Sequence, residues 1–255
     1  MKITMTLLCI WATLFLAGCD VKDPIYNTPH PDKGAIVITA DWTRRGEGIA
    51  APAEYITEAA GTSFTLHEPV AALTGLFVPG PTELLGYNPA AHVTVKDGIA
   101  TVDNDPDNAG MQHPEPGVLL AGTTVADVVA DDTTSVVLPM RQLFRKIESE
   151  VVVTEGDPRR ITGIEARLLG VAASIDLRTG EVTGVAAIVP FPFVRLEGKL
   201  VGAVWVPGII PGTAQRMAMT LTFSDGRTET VETDLSEMLK DFNADKLHPM
   251  RLTGD

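Results

Sequence analysis

Gly34-Ala35-Ile36-Val37-Ile38-Thr39-Ala40-Asp41-Trp42 is a β-branched run. Ile36, Ile38 and Ala40 fall on one side of it, the period-two alternation of a half-buried strand. Outward from it, short runs of the same kind recur between turn signals. Residues 92–95 and 99–102 flank Lys96-Asp97-Gly98, and Asp-Gly between two such runs is a strong hairpin signal. Leu76-Phe77-Val78-Pro79-Gly80 is a turn leading into Leu84-Leu85-Gly86-Tyr87-Asn88, and strands are expected at 118–121 and 135–138. Further on they are expected at 147–154, 161–169, 174–177, 181–185, 199–206, 217–223 and 228–232. Strands every 8–12 residues or so, with turns between them, predict β-sandwiches rather than βαβ units.

One segment has helical spacing. Asp234-Leu235-Ser236-Glu237 begins like a capping box, and Leu235, Met238, Leu239 and Phe242 then form a single apolar stripe that Asn243 can end. Met140, Leu143, Phe144 and Ile147 also fit helical spacing, but the β-branched run beyond them favours a strand. Two sandwiches of about 100 residues each fit the size of a domain. The expected division is a tether at 19–33, an N-terminal sandwich at 34–138 and a C-terminal one at 139–255, split at Leu138-Pro139.

Composition bounds the function. The 255 residues are 45% hydrophobic, which excludes disorder as a description of the whole chain. A net charge of −13 argues against nucleic acid as a partner, because a phosphate backbone needs a positive surface. Two cysteines supply neither a disulfide framework nor a four-thiolate zinc site.

Residues 1–19 read MKITMTLLCIWATLFLAGC. Lys2 is a short positive n-region, and residues 7–16 are an apolar stretch too short to cross a hydrocarbon core of about 30 Å. The stretch fits the h-region of a secretory signal peptide occupying residues 1–18. Leu16-Ala17-Gly18-Cys19 closes it as a lipobox: small residues admit the peptidase, which cuts between Gly18 and Cys19, and the Cys19 thiol takes the diacylglycerol. Cys9 leaves with the signal, so Cys19 is the sole thiol of the mature chain. Several acyl chains give stable anchoring where one gives only marginal binding. Asp20 and Asp23 are compatible with retention at the inner membrane in some bacterial groups and with export to the outer face in others. Pro24, Pro29 and Pro31 mark the following stretch as an extended tether.

No catalytic constellation stands out. His30, His67, His92, His113 and His248 have no metal-ligand spacing, and there is no G-x-S-x-G elbow or Gly-rich phosphate loop. A non-enzyme without cofactor or metal is the resulting expectation. Asp103-Asn104-Asp105-Pro106-Asp107-Asn108 alternates oxygen ligands as calcium loops do. Asn108 and Pro114, however, stand where an EF-hand needs Gly and Glu, leaving a solvated acidic loop as the reading. Trp42 and Trp205 lie in or beside apolar strands, which favours packing over sugar stacking. Arg44-Arg45 reads as a charged turn or as a trypsin-like, protease-sensitive site.

The chain resembles the FimB-type anchor subunits of bacterial fimbriae, within the wider fimbrillin family. The resemblance rests on Cys19 in its lipobox, Val21-Lys22-Asp23, the strand from Gly34 to Trp42 and the Pro-Gly turn before Tyr87-Asn88. Later residues that carry it are Leu138-Pro139-Met140-Arg141-Gln142-Leu143, Thr154-Glu155-Gly156-Asp157-Pro158, Leu169-Gly170-Val171-Ala172-Ala173-Ser174-Ile175-Asp176-Leu177, and the closing block from Asp234 to Lys246. It implies two tandem transthyretin-like β-sandwiches, lipid-anchored at the outer face of the outer membrane. It further implies fimbrial shaft subunits as partners, held by strand exchange, and a role in limiting shaft length. The family's proteolytic removal of a first strand would fall at Arg44-Arg45, where cutting would detach the body from its lipid. The alternative is a surface glycan-binding lipoprotein with Trp42 or Trp205 as the stacking platform.

Overall fold

In the computed structural model, which describes residues 32–254, the alternating run becomes strand β1, Ala35–Arg44. Ile36, Ile38, Ala40 and Trp42 are all buried, because alternate side chains of a strand share a face. The residues expected to form the signal peptide, Gly18, Cys19 and nearly all of the expected tether lie outside the described residues. The first half continues with β2 (Tyr55–Ala59), β3 (Thr62–Leu66), β4 (Val70–Ala72), β5 (Gly80–Tyr87), β6 (Val93–Lys96), β7 (Ile99–Val102), β8 (Leu120–Val128) and β9 (Thr133–Gln142). The second half contributes β10 (Arg145–Val152), β11 (Ile161–Asp176), β12 (Val182–Pro190), β13 (Phe193–Leu196), β14 (Lys199–Val206), β15 (Arg216–Phe223) and β16 (Thr228–Asp234). One helical turn, α1 (Ser236–Leu239), precedes the last strand, β17 (Met250–Gly254). The described residues are 57% strand and 4% helix, the all-β class with a short C-terminal helix that the sequence predicts.

Seven strands form the N-terminal lobe in the order β3-β2-β5-β8-β9-β1-β4. Strand β1 runs parallel to β9 and antiparallel to β4. Although β9, β8 and β5 separate β1 from β2 in the sheet, Trp42 meets Tyr55 edge-on at 5.5 Å. The sheet therefore folds over on itself, and Ile36, Ile38, Leu84, Leu138 and Met140 fill the space between, with no exposed surface.

The C-terminal lobe packs two sheets. One has the order β13-β14-β10-β17; the other has the order β16-β15-β11-β7-β6, with β12 also on β11. Ile147, Leu168, Phe191, Val204, Leu239 and Phe242 are buried between them. A third apolar cluster, including Leu85, Tyr87, Ala100, Leu119, Leu143, Phe144 and Ile175, joins the lobes.

The hairpin at Asp97-Gly98 forms as its residues predict: both take positive φ, +54° and +78°, as a tight two-residue turn between twisted strands requires. Other expectations are revised. Residues 161–169 and 174–177 belong to one strand of 16 residues, β11, because a register shift at Gly170, with φ of +84°, bulges the strand without ending it. Strand β9 runs unbroken through Leu138-Pro139 as far as Gln142. Pro139 is tolerated because it faces Asp41 just before a register shift, where the ladder is already interrupted. The β6–β7 hairpin, from the first half of the chain, pairs with β11 through Thr101 opposite Ser174.

The helix is a single turn, not the longer stripe. Asp234 accepts the Ser236 N–H at 2.9 Å as a local turn, Leu235 occupies the cap position, and Phe242 falls in a separate 3-10 turn. The acidic loop after β7 is likewise not simply solvated. Asp105 and Gln112 are buried, the Gln112 N–H donates to the Ile188 carbonyl at 2.8 Å, and Asn108 and the Asp107 N–H donate to the Asp105 carboxylate.

Candidate strand-exchange cleft

In the C-terminal lobe the two sheets gape toward one end. The inward side chains of β15 are buried at Met217 and Met219 and only half-buried at Leu221 and Phe223. Strand β10 repeats the gradient: Ile147 and Ser149 are buried, while Val151 and, beyond the strand, Val153 are half-buried. Between them lies a cavity of about 620 Å³, lined also by Phe193, Leu200, Val231, Met238, Leu252 and Gly254. Gly254 matters here for lack of volume, because a Cβ at that position would meet nothing within 4 Å. Met238, the member of the helical stripe that is 45% exposed, stands at this cavity instead of in the core.

Two strand edges frame the cleft. Among the described residues β16 pairs only with β15, and every one of its residues is exposed; β17 pairs only with β10, in parallel. Each strand therefore offers a row of backbone N–H and C=O groups facing away from its sheet. Among the described residues Glu155 and Glu229 are the only charged side chains lining the cleft. Both sit toward its wide end, Glu229 opposite Leu221 on β15 and Glu155 two residues past Val153. The nearby cations pair first with other carboxylates: Arg160 and Arg227 with Asp225, Lys199 with Glu150, and Arg251 with Glu148; Arg227 also feels the Glu229 charge, the weakest of the influences on it. The cleft offers apolar contact, backbone hydrogen bonding and negative charge at its mouth. Periodicity identified β10, β15 and β16 but not β17, and which residues would be under-packed depends on a pairing order that only the folded chain displays.

The residues singled out in the sequence lie elsewhere. Arg44 ends β1 and is exposed. Arg45 is half-buried, its guanidinium donating to the Trp42 carbonyl and to the Ile49 carbonyl at 2.7 Å. Trp42 is core, and Trp205 is half-buried against the cluster that joins the lobes. His92 and His113, distant in sequence, stack face to face at 3.4 Å between centroids. Among the described residues no three His, Cys, Asp or Glu side chains gather as metal ligands, and no helix is long and apolar enough to cross a membrane.

The largest electrostatic perturbation lies near the junction of the lobes. The Lys246 amine, buried beside Phe242 and near Arg145, donates to the Pro207 carbonyl at 2.7 Å. Burial first, and then the Arg145 charge, pull its pKa down to about 8. Arg145 is itself buried and donates to the Phe242 and His248 carbonyls at 2.8 and 2.7 Å. These contacts tie the segment after α1 to the start of β10.

Solved structures place this architecture. The fimbrial anchor protein Mfa2 from Porphyromonas gingivalis aligns over 87% of this chain and 89% of its own, with a TM-score of 0.55 and 12% identity. The fold is shared with a fimbrial anchor. A proposed adhesin from Bacteroides ovatus aligns over 93% of both chains, with a TM-score of 0.63 and 11% identity. A proposed polysaccharide-binding protein from Bacteroides thetaiotaomicron aligns over 87% of this chain and 89% of its own, with a TM-score of 0.54 and 6% identity. No protein-family profile matches the chain. No curated protein matches it in sequence. The likeness is one of fold, the β-sandwich architecture of adhesin-like proteins.

Proposed function

We propose that this chain is a non-enzymatic lipoprotein of the FimB type, attached through Cys19 to the outer membrane and facing outward. In this reading it holds or caps a fimbrial shaft by strand exchange and limits the length of that shaft. The observation that carries it is the cleft between β16 and β17, where two unpaired strand edges flank an under-filled apolar interior. Strand addition would use both its backbone groups and its apolar lining. The shared fold with the anchor Mfa2 is the supporting likeness. The lipobox supports membrane attachment, and the proline-bearing tether would lift the sandwiches off the surface.

The test is a mild-detergent pull-down of the lipoprotein from outer membranes, resolved without boiling and followed by mass spectrometry. A heat-labile ladder containing fimbrillin-like subunits is the expected result. A lone monomer, from cells shown to be making fimbriae, would overturn the reading.

A further inference from the structure

The strand-exchange reading leaves open which partner donates and what the donated strand looks like; the inference here rests on that reading. From the cleft we infer that this chain is the receiving partner at its C-terminal lobe, and that the strand it takes presents alternating apolar residues inward and a Lys or Arg at the wide end, between Glu155 and Glu229.

Three observations converge. The inward residues Met217, Met219, Leu221 and Phe223 lie two apart along β15, so a strand laid beside them meets them with every second side chain. The framing strands are five and seven residues long, which sets the guest at about five to eight residues, some 17–27 Å. The space beside Gly254 and the half-buried Val151, Val153, Leu221 and Phe223 is where the guest's apolar side chains go. Charge then selects the guest, since no cation stands among the described lining residues, Arg227 outside the lining is held chiefly by Asp225, and like charge beside the two carboxylates would be repelled.

Other occupants fit less well. An acyl chain would match the apolar lining but would leave the outer backbone groups of β16 and β17 without partners. A second copy would present its own exposed edge, Thr-Glu-Thr-Val-Glu-Thr-Asp, acid against acid. The tether carries Pro24, Pro29 and Pro31, each lacking the N–H that a ladder needs.

The probe is a fluorescently labelled Thr-Val-Thr-Val-Thr-Val-Thr-Lys peptide, compared with its counterpart ending in Glu and titrated against the purified full-length protein in mild detergent. The expected result is saturable binding of the Lys peptide at least tenfold tighter than of the Glu peptide. The double variant Glu155→Lys, Glu229→Lys, at two exposed positions, should reverse that preference. Gly254→Trp, which projects into open space and should keep the wild-type melting temperature, should abolish binding of both peptides.

Equal affinity for the two peptides, or binding unaffected by Gly254→Trp, would overturn the inference. So would a cleft that binds the fluorescent fatty acid cis-parinarate in place of peptide, or one that drives dimerisation in sedimentation runs. The pull-down separates this inference from the reading beneath it. If Gly254→Trp lipoprotein still recovers the heat-labile ladder, the cleft assignment fails and anchoring stands; if wild type recovers none, anchoring itself fails.

Discussion

Both lobes close with a parallel pair made from their first and last strands, β1 with β9 in one and β10 with β17 in the other. They differ in what lies beyond the pair. In the N-terminal lobe β4 continues the sheet past β1, with Val37 opposite Ala72 and Thr39 opposite Val70. In the C-terminal lobe no strand among the described residues pairs on the far side of β17, and the interior beside it is open. The same closure is therefore complete in one half and unfinished in the other. Because an under-filled interior forfeits dispersion contacts as well as area removed from water, the unfinished half should be the softer one.

The sharpest break of this comparison is a pair of equivalent truncations. Ile38 of β1 has no exposed surface and is enclosed by the folded-over sheet. Ile38→Ala should cost about 3 kcal/mol in urea or guanidinium unfolding, the transfer loss plus a cavity that rigid neighbours cannot collapse. Leu252 of β17 is nearly as buried, but it borders a space that is already open. Leu252→Ala should cost about half as much, because little new cavity is created. Equal losses would mean that the cleft is as well packed as the N-terminal core, and the contrast would fall.

A second difference is electrostatic and has a definite sign. The Lys246 pKa falls from 10.5 to about 8 on folding, so between those values the unfolded chain binds more protons than the folded one. Stability therefore rises as pH increases from about 8 toward 10, by roughly 2 kcal/mol, since one pKa unit corresponds to about 1.4 kcal/mol. That contribution is complete above 10.5 and is lost as pH falls through 8. Tyr87, whose hydroxyl is pushed up to about 12 by burial and then by the Glu58 carboxylate, acts with opposite sign, but only above pH 10. Melting temperature measured at pH 7.5, 8.5 and 9.5 checks this, and Lys246→Met should flatten the rise. A flat wild-type profile would show that the amine is solvated.

Hydrogen exchange sharpens the contrast at still lower energy. Amides of β16 and β17 should exchange through local opening well below the global unfolding energy, whereas those of β1 and β9 should require nearly all of it. Uniform protection across the four strands would contradict an open seam. Added Thr-Val-Thr-Val-Thr-Val-Thr-Lys peptide should slow β16 and β17 and leave β1 unchanged.

How much of this was legible in the sequence depends on range. The alternation of Ile36, Ile38 and Ala40, the Asp97-Gly98 turn and the runs that became β14 and β15 are local signals, and the chain obeys them. Gly170 misled because a glycine that bulges a strand looks, in one dimension, like a glycine that ends it. Pro139 misled for a related reason, since its tolerance depends on a register shift opposite Asp41. The cleft left no local mark at all. Met217, Met219, Leu221 and Phe223 read as ordinary core, and only the order of strands around them determines that the last two lack a lid. The Arg44-Arg45 pair shows the converse: a conspicuous dipeptide, of which the fold turns the second member back onto its own carbonyls.

The smallest expected effect concerns what links the lobes. Arg178 donates to Glu83 at 3.0 Å and to the Asp97 carbonyl at 3.4 Å, and its own carbonyl accepts from Arg141 at 2.9 Å. The arrangement spans the halves of the chain and looks like a clasp. Both Arg178 and Glu83 are, however, well exposed, at 40% and 58%, where water and salt screen the attraction and ordering two long side chains offsets much of the remainder. A double-mutant cycle of Arg178→Ala with Glu83→Ala should give a coupling below about 1 kcal/mol, shrinking further in 1 M salt. Phe144, with no exposed surface in the apolar cluster between the halves, should cost several times more on truncation to Ala, about 3–5 kcal/mol. If the ion pair outweighed the phenylalanine, the lobes would be joined by charge and would come apart in salt. The cluster of Leu85, Tyr87, Leu143, Phe144 and Ile175 argues the reverse: removal of apolar surface from water holds the finished and unfinished halves together, so the open seam can soften without the junction yielding.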